Sequence, residues 1–292
     1  MTLEGPWMLQ VPFVSVPELC FTEELTKTVA GSTIFIQPAT APYSRLVVKE
    51  LATIDQARDQ FLALKRAMLA ASLNVGCGIR IKDDFVVFDD DTAQLPSKPD
   101  QPFVCRQERN LAHLIITVGE PQLQLPRALP RLIESIEIAM TSNFAVEATC
   151  DQSVMLACDL YTSSFYEKSF ASRFISLIGV LEVLKDQDWV SPEAMRLVDD
   201  WLGTLDQLEG AEATSLRDQL KFMKQISISR GISSVVSRHL GQDRTREVRK
   251  LYTIRSKLIH TGEHPDNLRD SLELTELIVR ELLIKVLLAG SR

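Results

Sequence analysis

The spacing of apolar residues changes near residue 150 of this 292-residue chain. Before that point, short runs rich in β-branched residues and bounded by Gly or Pro predict strands: GSTIFIQP at Gly31–Pro38 and SRLVVKEL at Ser44–Leu51. LAHLIITV at Leu111–Val118 predicts another strand. GIRIKDDFVVFDDD, which starts at Gly78, predicts a hairpin that turns at Lys82–Asp84.

Helical spacing also occurs in this first part. IDQARDQFLALKRAMLAASL at Ile54–Leu73 has apolar residues at helical intervals, Phe61 and Leu64 among them, and Gly76 predicts its end. ALPRLIESIEIAM at Ala128–Met140 predicts a short helix. Residues 1–150 are therefore predicted to form a mixed α/β region.

After residue 160 only helical patterns occur. SFASRFISLIGVLEVL at Ser169–Leu184 carries an apolar stripe that includes Phe174 and Ile178. Further helices are predicted from Ser191 onward and over Ala213–Ser227, Gly231–Gly241, Asp243–His260 and Asp266–Gly290. The predicted fold class is α+β, with an all-α bundle over residues 160–292.

Composition places the chain among ordinary globular proteins, with 45% hydrophobic and 24% charged residues. No apolar run reaches the roughly 18 residues that a membrane span needs. The first residues lack the pattern of a signal peptide. We therefore expect a cytoplasmic protein without a membrane partner.

The cysteines and the net charge narrow the chemistry further. Five scattered cysteines form no CxxC pair, which argues against a disulfide framework and a zinc site and fits a reducing cytosol. We expect no metal and no cofactor. The net charge of −7 is unlike that of a non-specific nucleic-acid binder, so any RNA contact would need a local basic patch.

One segment reverses the acidic balance of the chain. Between Arg244 and Lys257, a single acid, Glu247, accompanies six basic residues: Arg244, Arg246, Arg249, Lys250, Arg255 and Lys257. The structural interpretation is a solvated helix face. The functional interpretation is a surface that binds nucleic-acid phosphates.

The segment ends in LYTIRSKLIHTGEHP, which places Arg255 five positions before His260. The spacing alone carries little weight, because Arg106 and His113 show a similar one. His260, however, ends a predicted helix and precedes a Gly turn. The structural alternative is a cation at a helix C-terminus, which the helix dipole favours by about 0.3–1 kcal/mol.

Glu182 lies on or beside the apolar stripe of its helix, eight residues after Phe174. A carboxylate buried there needs a partner, and the Arg255 guanidinium would serve. At the edge of the stripe it would instead reach solvent. Tyr252, one turn before Arg255, is placed to stack or pack against it.

Three segments in this order resemble the HEPN domains, and among them the Apea-like group. FISLIGVLEVL resembles the first long helix, ISISRGISSVV the short middle helix, and LYTIRSKLIHTGE the signature Tyr-x-x-Arg-x4-His-x-Gly. The resemblance covers Phe165–Leu288, and residues 1–150 resemble no family.

The resemblance implies a helical bundle that forms a homodimer with the Arg and His of both subunits at the interface. It implies metal-independent RNA cleavage in a prokaryotic toxin, antiphage or stress system. Arg255 would hold the scissile phosphate, His260 would be the general acid or base, and Glu182 would orient Arg255. The expected RNA-binding residues are Arg246, Arg249, Lys250, Tyr252, Ser256 and Lys257.

One position departs from the family pattern. Active members often have Asn, Asp or His after the Arg, where this chain has Ser256, which supplies a hydroxyl but no charge. Some HEPN domains only dimerise or bind, so the fold does not decide activity. The alternative is a non-catalytic dimerisation or sensor protein whose N-terminal half binds a small ligand or a protein.

Overall fold

The chain, seen here in a computed structural model, divides into two compact units. The first unit comprises Met1–Lys168 with Val286–Arg292, and the second comprises Ser169–Lys285. The structure describes residues 6–17, 24–29, 32–38, 43–88, 100–106, 128–141, 152–186, 188–205, 210–263, 265 and 267–289. The strand predicted at Leu111–Val118, with His113 in it, lies outside the described residues.

The first unit contains a mixed sheet. Its described strands are β1 (Trp7–Val16), β2 (Leu25–Val29), β3 (Ser32–Pro38), β4 (Tyr43–Leu51), β5 (Gly78–Arg80), β6 (Val86–Phe88) and β7 (Phe103–Arg106). The strand order is β2-β3-β4-β1-β7-β6, and β5 also pairs with β1. The β6–β7 pair is parallel and the others are antiparallel. The strands predicted at Gly31–Pro38 and Ser44–Leu51 are confirmed as β3 and β4.

The hairpin predicted around Lys82–Asp84 is wrong. β5 pairs antiparallel with β1, where Arg80 lies opposite Val14. β6 pairs parallel with β7, where Val86 lies opposite Phe103. The prediction rested on turn-forming residues at Lys82–Asp84, which are a local signal. β5 and β6 instead pair with strands that are distant in sequence, so they do not pair with each other.

β1 is buried on both faces, which is why its sequence shows no alternation of apolar and polar residues. Trp7 and Phe13 belong to the core that the long helix Ile54–Val75 covers. Met8 belongs to a cluster on the other face of the sheet, with Val47 and Phe103. The sequence of a strand buried on both faces is a nearly continuous apolar run without alternation. The alternation pattern therefore did not predict β1.

The helices of the first unit pack on this sheet. They are α1 (Ile54–Val75), α2 (Ala128–Thr141) and α3 (Gln152–Ser164). The Oγ1 of Thr53 caps α1 by accepting the Gln56 N–H at 3.0 Å. Gly76 ends the helix with a φ of 73°, a left-handed conformation that glycine adopts without strain. Phe61 and Leu64 of α1 pack into the main core.

The second unit is helical. Its helices are α4 (Phe170–Leu184), α5 (Pro192–Leu205), α6 (Ala211–Met223), α7 (Ile228–Leu240), α8 (Gln242–His260) and α9, which begins at Leu268 and continues to Ala289. Ser169 and Ser191 cap α4 and α5 through their Oγ atoms. These helices confirm the predicted ones within a few residues, because caps and apolar stripes are local signals.

The molecule is therefore α+β, as predicted, with a seven-stranded mixed sheet in the described N-terminal residues followed by a helical region. None of the described helices is both long enough and apolar enough to cross a membrane. The predicted boundaries at residues 150 and 160 differ from the division between the compact units, which falls after Lys168.

Candidate active site

Glu182 and Arg255 meet between α4 and α8. Glu182 lies in the last turn of α4, one turn after the buried Ile178, and Arg255 lies on α8 one turn after the buried Leu251. The Nη2 of Arg255 is 3.1 Å from one Glu182 carboxylate oxygen and 3.4 Å from the other. The two side chains are 22% and 24% exposed. The predicted partnership between the carboxylate and the guanidinium is therefore present in the fold.

Tyr252 completes a cluster with these two residues, which we call the Glu182 cluster. Its ring centroid is 5.8 Å from the guanidinium carbon of Arg255, three residues later on the same helix. Burial raises the pKa of the Tyr252 hydroxyl, and the charge of Glu182 raises it further, while Arg255 opposes the rise. The phenol therefore stays neutral beside the carboxylate.

The Glu182 cluster has unused hydrogen-bonding capacity. The Nε of Arg255 is buried and makes no hydrogen bond, and Oε1 of Glu182, although 3.1 Å from Nη2 of Arg255, accepts no hydrogen bond of suitable geometry. A fully paired Arg–carboxylate contact would use two nitrogens and two oxygens. A buried polar atom without a hydrogen bond costs about 1–3 kcal/mol, so the pair does not use its full stabilising capacity.

His260 occupies a different environment. It is the last residue of α8 and is exposed. Thr261 closes the helix by donating its N–H to the Lys257 carbonyl at 2.8 Å, and Gly262 follows with a φ of 70°. On an α-helix, residues five apart point about 140° away from each other. Arg255 therefore faces α4, while His260 points elsewhere.

Most of the basic residues on α8 contact carboxylates. Arg244 holds both oxygens of Glu281 on α9, with its Nε and Nη2 at 3.0 and 2.9 Å, and it contacts Glu247 at 2.9 Å. Arg246 pairs with Asp243, one turn earlier on the helix. These contacts neutralise much of the positive charge that the sequence indicated.

The remaining expected RNA-binding residues differ in their contacts. Lys257 is 3.7 Å from Glu263, and Arg249 donates its Nε–H to the Ser233 hydroxyl on α7 at 3.0 Å. Lys250 is exposed and Ser256 is half-buried. Among the described residues, no carboxylate lies within 4.0 Å of a basic nitrogen of Arg249 or Lys250.

A second ion pair on α4 was not predicted. Arg173, near the start of the helix, contacts Glu276 on α9 at 2.7 Å. Burial raises the pKa of Glu276, and the charges of Arg173 and Arg280 oppose that rise. Arg173 lies on the half-buried flank of an apolar helix, a pattern that Glu182 shares and that would have indicated a partner.

Arg106, whose sequence spacing to His113 is similar to that of Arg255 to His260, lies in the first unit. Its guanidinium carbon is 5.3 Å from the Trp7 ring in the neighbouring strand β1. Within the described part of the chain, no three His, Cys, Asp or Glu side chains form a group that could hold a metal ion. Comparisons with protein-family models, curated proteins and solved structures found no match to this chain.

Proposed function

We propose that this protein is a metal-independent endoribonuclease, an effector of a prokaryotic defence, toxin or stress system. One observation carries the proposal: Arg255 is held by Glu182 and Tyr252 on the helix that ends in the exposed His260.

RNA itself supplies the nucleophile in this mechanism. The 2′-hydroxyl oxygen attacks the adjacent phosphorus, the bond from phosphorus to the 5′-oxygen breaks, and the products are a 2′,3′-cyclic phosphate and a 5′-hydroxyl. His260 removes the proton from the 2′-hydroxyl or gives one to the leaving oxygen, since histidine exchanges protons readily near neutral pH. Arg255 binds the phosphate and stabilises the charge that develops in the transition state.

The geometry of α8 favours a site built from two copies. Because Arg255 and His260 of one chain diverge by about 140°, a second copy is needed to bring a histidine opposite the arginine. Ile259, next to His260, is 43% exposed, which suits a covered surface at this end of the helix. We infer a homodimer in which Arg255 of one subunit works with His260 of the other.

Digestion of RNA in EDTA tests the proposal. Wild-type protein should cleave, and Arg255→Ala and His260→Ala should each lower the rate at least about 100-fold. Arg196→Ala and His239→Ala are the matched controls, because they remove the same side chains elsewhere in the second unit. Equal cleavage by wild type, Arg255→Ala and His260→Ala would contradict the catalytic assignment.

A second function has its own support. The carboxylates that pair with Arg244, Arg246, Arg255 and Lys257 reduce the positive charge available to RNA, and Ser256 supplies none. These facts favour a non-catalytic dimerisation or sensor protein that binds a small ligand or a protein partner. In that case the purified dimer would cleave no RNA, and His260→Ala would leave partner binding intact.

A further inference from the structure

The first unit contains a pocket that the proposed nuclease chemistry does not use. It lies between α1, the strand β5 with the residues after it, and α3, and its volume is about 150 Å³. An apolar cavity of that size holds one benzene-sized molecule, so the pocket has room for a ligand of about six to nine non-hydrogen atoms.

One wall of the pocket is apolar. Met68 of α1 and Ile79 of β5 are buried there, and Leu69 and Met155 are half-buried beside them. Thioether and branched aliphatic side chains adapt their shape to a small aliphatic group. This wall therefore suits a short hydrocarbon side chain.

The charged residues of the pocket divide into a closed pair and two open groups. Lys65 of α1 pairs with Asp83, so these two charges compensate each other. Arg80 and Asp159 also line the pocket. In the described part of the chain, neither has an oppositely charged atom within 4.0 Å. Among the described residues, the pocket thus offers one guanidinium and one carboxylate without an oppositely charged partner.

Both open groups belong to exposed residues, which a ligand can reach. The guanidinium carbon of Arg80 lies 4.1 Å from the ring centroid of Tyr166, which holds its planar face in place. Burial raises the pKa of Asp159 and the nearby charge of Asp83 raises it further, while Lys65 opposes the rise. A bound cation would relieve this unfavourable environment of the carboxylate.

Hydrogen bonds and close packing hold the walls of the pocket in place without a ligand. Tyr166 donates its hydroxyl to the Val14 carbonyl at 3.1 Å, with the Gly78 carbonyl at 3.4 Å. A Cβ on Gly78 would lie 2.6 Å from the Cβ of Phe165 and 2.8 Å from the Thr162 carbonyl oxygen. The strand and the end of α3 therefore touch so closely that only glycine fits. A preformed site loses less entropy when it binds.

We propose that this pocket binds a free α-amino acid with a small aliphatic side chain. Asp159 receives the ammonium group, Arg80 receives the carboxylate, and the wall of Met68 and Ile79 covers the side chain. A ligand with both charges satisfies both open groups, whereas a ligand with one charge leaves the other group without a partner. Binding at this site does not depend on RNA cleavage.

Isothermal titration of the full chain with L-leucine tests the site. We expect L-leucine to bind, and Asp159→Asn and Arg80→Gln each to weaken the binding at least about tenfold. Asp59→Asn and Arg58→Gln are matched controls on the exposed side of α1, and they should bind L-leucine as the wild type does.

Two analogues test the charge requirement without any mutation. 4-Methylpentanoate lacks the ammonium group and 3-methylbutylamine lacks the carboxylate, and each should bind wild type at least about tenfold more weakly than L-leucine. The proposal is overturned if L-leucine does not bind at millimolar concentration, or if either analogue binds as tightly. It is also overturned if both pocket variants bind like the wild type.

Discussion

The two ends of α4 each carry an Arg–Glu ion pair, and the pairs differ in the length of the contact and in the hydrogen bonding of the carboxylate. At the start of the helix, Arg173 and Glu276 approach to 2.7 Å. At its end, Glu182 and Arg255 approach to 3.1 Å. The Nε of each arginine is buried and makes no hydrogen bond, and the Glu182 pair also leaves a buried carboxylate oxygen without one. The exposed fractions of all four side chains are nearly equal, at 22–24%.

The difference between the two ion pairs indicates that they have different roles. Burial is the same, so solvent does not explain the looser contact at the end of the helix. The Arg173 pair links α4 to α9 by the shorter contact, at 2.7 Å. The Arg255 pair lies on the helix that ends in the exposed His260, and it leaves a buried Glu182 oxygen without a hydrogen bond. We therefore assign stability to the first pair and ligand binding to the second.

The largest contrast is expected in stability. Arg173→Ala leaves the half-buried Glu276 carboxylate without its partner, and we expect it to lower the free energy of unfolding by about 1–2 kcal/mol. Arg255→Ala removes a looser contact and should cost about 1 kcal/mol or less. Urea denaturation of both variants measures the difference. A larger loss for Arg255→Ala would reverse the assignment of the two pairs.

A smaller effect is expected in the pH dependence of stability. Because burial raises the pKa of Glu276 above its ordinary 4.5, the folded protein keeps that proton to a higher pH than the unfolded chain does. The contribution of this residue to stability is therefore complete at low pH and is lost as the pH rises above about 4.5.

Replacing Glu276 tests this sign. Glu276→Gln has no carboxyl group to titrate at this position, so its stability should not show this decrease with pH. The wild type should therefore become less stable relative to the variant as the pH rises from about 4 through the folded-state pKa. Glu273→Gln, an exposed position on the same helix, is the control and should follow wild type. A gain in the relative stability of wild type over that range would contradict the cause assigned to the Glu276 pKa.

The sequence predicted the parts of the fold that depend on neighbouring residues. The helices of the second unit follow from apolar stripes and from caps such as Ser169 and Ser191. The contact between Glu182 and Arg255 followed from a single physical requirement, since a carboxylate on an apolar stripe needs a cation. The helix predictions used local information, whereas the Glu182–Arg255 contact joins residues 73 positions apart and was predicted from the charge requirement alone.

The missed features depend on residues far apart in the chain. β5 pairs with β1, more than sixty residues earlier, so the predicted hairpin did not form. The partner of Arg244 is Glu281 on another helix, and the basic segment therefore carries less free charge than its sequence suggests. The open charges of Arg80 and Asp159 face one pocket only after α3 packs beside β5.

Mixing two inactive variants tests the central claim most directly, because the composite site needs Arg255 from one subunit and His260 from the other. Arg255→Ala and His260→Ala chains, unfolded together and refolded at equal amounts, would form mixed dimers that retain one intact site. We expect RNA cleavage in EDTA to return to about one quarter of the wild-type rate, since half the dimers are mixed and each has one of two sites. A mixture no more active than either variant alone would contradict the account.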